Sequence, residues 1–255
     1  GRHPGGDRPA GERGAPMTAG ATLAAMLDVP LASAFTGWID YIMANQDQFL
    51  KLLRGHLFMV GVGEALAILV AVPAGILATR DPRAARLIEN LGAVAQTIPA
   101  LGVIALTFTF LGLGKAPTIL AITIYALFPI LKNTVAGIQN VEDADVRAGR
   151  GMGMTNLQRL RRIELPLALP VIFAGIRTST VLCVGVAYIG VFVGAGGLGT
   201  YIQAGLTTVN YDVMLAGAIP GALTVIAFDR GFSLLEGMVT PEGVSRDTTE
   251  GGAAA

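Results

Sequence analysis

Long apolar stretches constrain this chain more than any other feature. A bilayer core of about 30 Å requires about 20 apolar residues in a helix, and five segments approach that length: 57–79, 94–113, 117–137, 170–193 and 213–235. Only 14% of the 255 residues are charged, whereas soluble domains carry about a quarter. The sequence therefore predicts an all-α membrane protein with about five transmembrane helices.

The two ends of the chain differ from this apolar centre. Residues 1–34 are predicted to be a disordered or poorly ordered extension, because their first half is rich in Gly, Pro and charged residues and cannot bury a core. Residues 35–56 mix aromatic and charged side chains, which favours an amphipathic helix at the membrane surface. A partly buried helix outside the membrane fits the same composition equally well. The transmembrane domain is expected at 57–237, followed by a polar tail at 238–255.

Basic residues are concentrated in alternate loops. Loop 80–90 holds three arginines and loop 138–167 holds five, whereas residues 194–212 contain neither Lys nor Arg. Short loops rich in Lys and Arg stay in the cytoplasm. We therefore predict that these two loops and the tail are cytoplasmic and that the N-terminus is outside. Lys51 and Arg54, which this topology places outside, count against it.

Loop 138–167 has the most specific pattern. Acidic residues open it, as suits the start of a helix, and its glycines allow close backbone approach or turns with positive φ. Thr155 with Asn156 can cap a helix over 157–164, and Pro166 and Pro170 predict an interruption before the fourth span. Polarity alone is also compatible with an ordinary basic cytoplasmic loop.

The spacing within this loop resembles the "EAA" loop of permease subunits of binding-protein-dependent ABC importers. The positions that match in register are Ala148, Gly153, Ile163, Leu165 and Pro166. Two positions depart from the family pattern, since Arg147 replaces the usual Glu and Gly149 replaces Ala. The resemblance implies that the loop docks on an ATPase through Arg147, Ala148, Gly149, Gly153, Met154, Thr155, Ile163, Leu165 and Pro166.

A narrower resemblance, covering about residues 50–243, is to the permeases for glycine betaine, choline and carnitine. The runs that carry it are 96–101, 127–134, 151–156, 164–170 and 194–199. It implies a MetI-like permease in the bacterial cell membrane that imports a small osmolyte. It also implies partners: cytoplasmic ATPase subunits that use the ATP, a second permease copy or homologue, an extracytoplasmic substrate-binding protein, and membrane lipid. No cofactor is expected on this chain.

Several other kinds of site are excluded or disfavoured. Residues 194–199 satisfy G-x-G-x-x-G, but they end a predicted span and no acidic residue follows at the distance of a dinucleotide site. Lys115 follows a glycine as in a phosphate-binding loop, but Ala116 stands where Ser or Thr is needed. A single cysteine, Cys183, and two distant histidines indicate no metal site. The zero net charge gives no indication of nucleic-acid binding.

Ionisable residues inside spans are functional candidates by default. Glu64 lies in the first predicted span, and Asp229 and Arg230 lie in the last. Pairing with other protein groups is favoured over a substrate role for each of them. Two other functions stay open at this point: an ion- or proton-coupled secondary transporter that uses Glu64 and Asp229 as a relay, and a membrane scaffold that transports nothing.

Overall fold

The computed structural model describes Gly1, residues 31–95 and residues 97–239, and every regular element in these ranges is helical. The helices are α1 (Leu31–Ala44), α2 (Gln46–Ala78), α3 (Pro82–Ala95), α4 (Ala100–Leu111), α5 (Lys115–Gln139), α6 (Asp143–Gly151), α7 (Asn156–Arg159), α8 (Leu165–Ile189), α9 (Gly199–Thr208) and α10 (Tyr211–Val239). A π-helical turn, Leu160–Glu164, joins α7 to α8, and a 3-10 turn, Gly190–Val193, follows α8. Most of the predicted extension 1–34 and of the tail 238–255 lies outside the described residues.

Four helical stretches are long and apolar enough to cross a bilayer: Gln46–Ala78, Lys115–Gln139, Asn156–Val193 and Tyr211–Met238. The first begins 11 residues before the predicted start at 57, so the segment 35–56 is divided between α1 and α2. The 33 residues of α2 rise about 50 Å. This exceeds the hydrocarbon thickness of about 30 Å, so the polar first turns of α2 can lie beyond it.

The second predicted span, 94–113, is not one continuous helix. α4 has 12 residues, and such a helix rises only about 18 Å. It begins after Pro99, which has extended backbone angles and no amide hydrogen to donate. The chain nevertheless crosses the molecule here, because Ala85 packs on Val135 near the end of α5, whereas Thr107 donates to the Pro117 carbonyl near its start (3.0 Å).

The centre of the fold is formed by α2, α5 and α8, whose buried apolar residues make up the main core. Small residues recur every four positions on the buried face of α2: Gly63, Ala67, Ala71 and Gly75. A Cβ on Gly75 would lie 2.8 Å from the Cβ of Thr134 in α5. Membrane helices associate through such small-residue faces, because they let two backbones approach closely.

Two ends of this bundle can be distinguished. At one end, the coupling loop (138–167) lies beside the turn after α2, since Arg80 bonds to Glu164 at 3.2 Å. At the other end, the Gly114 amide donates to the Val193 carbonyl at 2.8 Å. We call the second end the glycine-turn end, because the turn 194–199 lies there with Gly194, Gly196 and Gly197 at positive φ. The positive φ angles of these three glycines make this turn tight.

Candidate functional site: the coupling loop and the intramembrane charges

The first half of the coupling loop is α6, which ends in a Schellman turn. Gly153 has φ +74, its amide donates to Arg150, and the Met154 amide reaches back to the Gly149 carbonyl at 3.1 Å. These two bonds satisfy carbonyls that the helix end would otherwise leave free. A side chain on Gly153 would meet no atom within 4 Å. Within this chain Gly153 is therefore required for its backbone angle and not for close packing.

The second half begins with the predicted cap. The Thr155 hydroxyl accepts a hydrogen bond from the Gln158 amide (3.3 Å), and the Gln158 side chain accepts one from the Thr155 amide (2.9 Å). This capping box satisfies two free amides at the start of α7. The prediction that Thr155 caps this helix is confirmed, and Asn156 is its first residue.

The expected interruption at Pro166 and Pro170 is wrong. The helix continues from Asn156 to Val193, with Pro166 in the first turn of α8 and Pro170 inside it. Proline cannot donate to the residue four positions earlier, and its ring crowds that carbonyl. For Pro166 that position is Arg162, which lies in the π-helical turn Leu160–Glu164. The wider turn supplies the room that the ring needs.

The two halves of the loop pack on each other through Gly149. This glycine is buried, and a Cβ built on it would lie 2.7 Å from Cδ1 of Ile163 and 3.6 Å from Sδ of Met154. Leu165, like Leu160, packs against the main core. Gly149 therefore replaces the family's alanine at a position where this chain leaves little space for a methyl group.

A buried ion cluster fastens the loop to the rest of the molecule. Glu164 is 5% exposed and accepts from Arg159, itself 5% exposed, at 2.7 Å. Its other oxygen accepts from Arg80, in the turn after α2, at 3.2 Å. Two cations thus neutralise one buried carboxylate, which is the condition for burying a charge at low cost.

Sequence reasoning missed this cluster for a physical reason. Residues five apart in an α-helix point in different directions, so Arg159 and Glu164 do not form a pattern that predicts pairing. The π turn, with its i→i+5 periodicity, brings them onto one face. The third member, Arg80, is 84 residues away from Glu164, and its pairing could not have been predicted from local spacing.

The outer surface of the loop combines charged and apolar side chains. Arg147 is exposed and lies 4.0 Å from the exposed Asp143, and Ala148 is also exposed. Met152 is 66% exposed, and Leu157, which was not among the predicted contacts, is 55% exposed. Met154, which the sequence predicts as a contact, is only half-exposed. Apolar side chains that protrude from a polar loop are typical of a docking surface.

Glu64 lies in the middle of the bundle and is 4% exposed. It accepts hydrogen bonds from three groups on α8: Ser179, Thr180 at 3.4 Å, and the Cys183 thiol at 2.8 Å. The structure therefore places Glu64 between α2 and α8 and away from lipid, as the cost of a lipid-facing acid requires.

The other two predicted ionisable residues do not pair with each other. Asp229 lies 3.8 Å from Nε of Arg177 on α8, and Arg177 also forms a short ion pair with Glu236. Arg177 is inside the fourth predicted span, and sequence analysis did not single it out. Arg230 has no carboxylate within ion-pair distance among the described residues.

A cleft of about 530 Å³ lies between α8 and α10. Its lining combines three charged residues, two threonines and three apolar residues: Arg177, Asp229, Arg230, Thr178, Thr180, Val181, Val225 and Ile226. Charged groups at membrane depth face protein or water and not lipid. Among the described residues, no cluster of His, Cys, Asp and Glu could hold a metal ion.

Comparison with known proteins identifies the family. Residues 71–240 match the model of the family described as binding-protein-dependent transport system inner membrane component. The chain is 40% identical over 214 residues to the carnitine transport permease protein OpuCB of Listeria monocytogenes, covering 84% of this chain and 98% of the relative. It is 43% identical over 204 residues to the choline transport system permease protein OpuBD of Bacillus subtilis, covering 80% and 90%.

The fold is found in solved structures as well. A chain of the methionine ABC transporter MetNI in an inward-facing conformation superposes with a TM-score of 0.67 at 23% identity, covering 76% of this chain and 97% of that one. The predicted MetI-like fold is therefore confirmed, and the family implies a binding protein and an ATPase as partners. The chain belongs to the family of binding-protein-dependent transport system inner membrane components, as a multi-pass permease subunit of an ABC importer and not as its ATPase.

Proposed function

We propose that this permease moves glycine betaine, choline or carnitine from an external binding protein to the cytoplasm. The observation that carries the proposal is 37–43% identity, over about four-fifths of the chain, to permeases named for those substrates. Five Tyr and one Trp are spread over this chain, whereas a quaternary ammonium is held by a cluster of aromatic faces. The binding protein is therefore expected to select the substrate.

The coupling loop is the proposed docking site for the ATPase. Its exposed Met152 and Leu157 give the adaptable apolar contacts, and the Schellman turn and capping box hold the two short helices in one arrangement. The ion cluster of Arg80, Arg159 and Glu164 fixes that arrangement to α2 and α8. Closure of the ATPases would then move the loop as a rigid body and shift the balance between inward- and outward-open states.

The importer also needs a second permease subunit, either a copy of this chain or a homologue. The cleft between α8 and α10 supports this arrangement, since its charged lining fits a water-filled pathway between two subunits better than a lipid surface. ATP binding is assigned to the ATPase partners, and this chain is expected to need no cofactor of its own.

A proton- or ion-coupled transporter is the rival function. It would use Glu64 and Asp229 as a relay, but each is engaged by other groups: three donors of α8 for Glu64, and Arg177 for Asp229. A coupled carrier also commonly has inverted repeats, and the sequence gives no sign of one.

Reconstitution in sealed vesicles separates these functions. The permease is combined with its ATPase and binding protein, and uptake of labelled glycine betaine, choline and carnitine is followed with ATP supplied on the ATPase side. We expect uptake to require all three proteins and to continue after ionophores have dissipated the ion gradients. Gradient-driven uptake without the ATPase would establish the rival. A response to an amino acid or a metal ion, with none to the three osmolytes, would overturn only the substrate class.

A further inference from the structure

A basic groove lies at the glycine-turn end of the molecule. It is formed by the first turns of α2 and the start of α5, has a volume of about 540 Å³, and is lined by Asp47, Leu50, Lys51, Arg54, Gly55, Phe58 and Lys115. Three cations therefore border one groove with a single acid. The side chains of Lys51, Arg54 and Lys115 are all exposed.

The position of Lys115 is defined by its neighbours. Its Nζ lies 5.6 Å from the centroid of the Phe58 ring, within cation–π range. The same nitrogen lies 3.6 Å from the place that a Cβ on Gly55 would occupy. The lysine from α5 is thus held against α2, next to Lys51 and Arg54, instead of extending freely into solvent.

The three cations of the groove are not neutralised within the described residues, where none of them has a carboxylate within 4.0 Å. Elsewhere among the described residues, four arginines do have such partners: Arg80, Arg147, Arg159 and Arg177. The groove therefore keeps a net positive field that is available to an external ligand.

The groove also lies on the side where membrane proteins keep few basic residues. It adjoins the turn 194–199, because Leu52 reaches the position of a Cβ on Gly196 at 4.0 Å. That end is opposite the arginine-rich coupling loop, and the distribution of Lys and Arg makes it the external end. Lys51 and Arg54 are the residues that count against the predicted topology. A role in binding a ligand would explain why these two basic residues lie at the external end.

We propose that the basic groove docks an acidic surface of the external substrate-binding protein, an inference that rests on the proposed function. The family depends on such a protein, which must deliver its substrate at this end. Complementary charge speeds encounter and fixes orientation. A protein bound here would also touch the glycine turn that follows α8. Because α8 continues from the coupling loop, such a contact would link docking at the external side to that loop.

The test uses the reconstituted complete importer and the binding protein that stimulates its ATPase activity. In one variant Lys51, Arg54 and Lys115 are all changed to Gln; in the matched control Arg83 and Arg86, which are exposed on α3 outside the coupling loop, are changed to Gln. The concentration of binding protein that gives half-maximal stimulation is measured at low and high salt. Basal ATPase activity and thermal stability show whether each variant is folded.

We expect the triple variant to need about tenfold more binding protein for half-maximal stimulation, with the maximum preserved. Raising the salt should weaken docking in the wild type and have little further effect in the triple variant, because exposed charges are screened. An unchanged half-maximal concentration in a folded triple variant would overturn the inference while leaving the importer intact. Absence of stimulation in the wild type would instead count against the proposed function.

Repeating the measurement in vesicles of phosphatidylcholine alone tests the alternative that the groove binds an anionic lipid headgroup instead of the binding protein. If the groove binds the protein, the difference between wild type and triple variant persists in neutral lipid. If the difference disappears there, the groove is a lipid site and the docking proposal is wrong.

Discussion

Two glycines of the coupling loop are required for different physical reasons. At Gly149 the reason is space, since a methyl group would press on Ile163 from the second half of the loop. At Gly153 the reason is the backbone, which has φ +74 in otherwise open surroundings. Residues with a Cβ disfavour that angle by about 1–2 kcal/mol, with Asn among the exceptions.

Replacing Gly153 by alanine should therefore disturb the loop, and replacing it by asparagine should disturb it less. A cost of about 1–2 kcal/mol in the docking-competent turn lowers its population roughly five- to thirtyfold. ATP-driven uptake and the amount of protein in the membrane are the two measurements. Gly151→Ala is the matched control, because Gly151 lies in the last turn of α6 and a Cβ there meets nothing. Equal uptake by Gly153→Ala and Gly151→Ala would contradict this account.

Glu64 gives a second prediction for a single residue. Glu64→Gln keeps an oxygen that can accept from Ser179 and Thr180, so ATP-driven uptake should stay within about twofold of the wild type. Glu64→Ala removes the acceptor and leaves a cavity, and it should lower the thermal midpoint of the purified protein. Loss of uptake in a stable Glu64→Gln variant would show that an ionisable group is required, as a proton relay demands.

At the scale of elements, the cluster of Arg80, Arg159 and Glu164 joins two segments that are distant in sequence, the turn after α2 and the coupling loop. Burial makes the pair of Arg159 and Glu164 sensitive to removal of either partner. The pair of Arg80 and Glu164 is more exposed, with 43% of the Arg80 side chain accessible. The role of the Arg80–Glu164 pair is therefore better tested by measuring how well transport is coupled to ATP hydrolysis than by measuring protein stability.

Arg80→Gln should lower the amount of substrate transported per ATP hydrolysed by about two- to fivefold, the scale of a partly exposed ion pair. Basal ATPase activity should be retained, since the docking surface is unchanged. Arg83→Gln is the control, because Arg83 is exposed and its side chain has no carboxylate partner among the described residues. An identical transport-to-hydrolysis ratio in the two variants would refute a coupling role for Arg80.

The same elements show what the sequence could and could not predict. Hydrophobic length was sufficient for α2, α5, α8 and α10, and the capping residues Thr155 and Asn156 were sufficient for a helix start. The continuation of the helix through Pro166 was not predictable, because it depends on a π turn that no local propensity favours. Arg177 was overlooked because its partners, Asp229 and Glu236, belong to another helix.

At the scale of the whole molecule, the second crossing is made by two helices, α3 and α4, instead of one. The chain still passes from one end of the bundle to the other, so the loops alternate between the two sides as predicted. α3 packs beside the end of α5, and α4 ends beside the start of α5. The Tyr125 hydroxyl donates to the Ile98 carbonyl, at the interruption between the two helices. A polar tyrosine thus satisfies a carbonyl that the broken helix exposes at membrane depth, where free backbone groups are costly.

Cysteine labelling of intact cells tests the resulting topology. A cysteine introduced at position 84 or 156 should react only after the cytoplasmic side is opened, and one at position 207 should react from outside. Native Cys183 is buried, so it should contribute little background. Labelling of position 156 from outside would reverse the assignment of sides, and with it the location of both the coupling loop and the basic groove.

The unbroken helix from Asn156 to Val193 has a consequence for the size of the motion that transport requires. Its 38 residues make a lever roughly 57 Å long, so that a tilt of about 5° at the cytoplasmic end displaces the far end by roughly 5 Å. That far end holds the Val193 carbonyl, which accepts from Gly114 at 2.8 Å. A displacement of that size relative to α5 breaks the bond. A small angular change at the ATPase can thus open the external side of the permease.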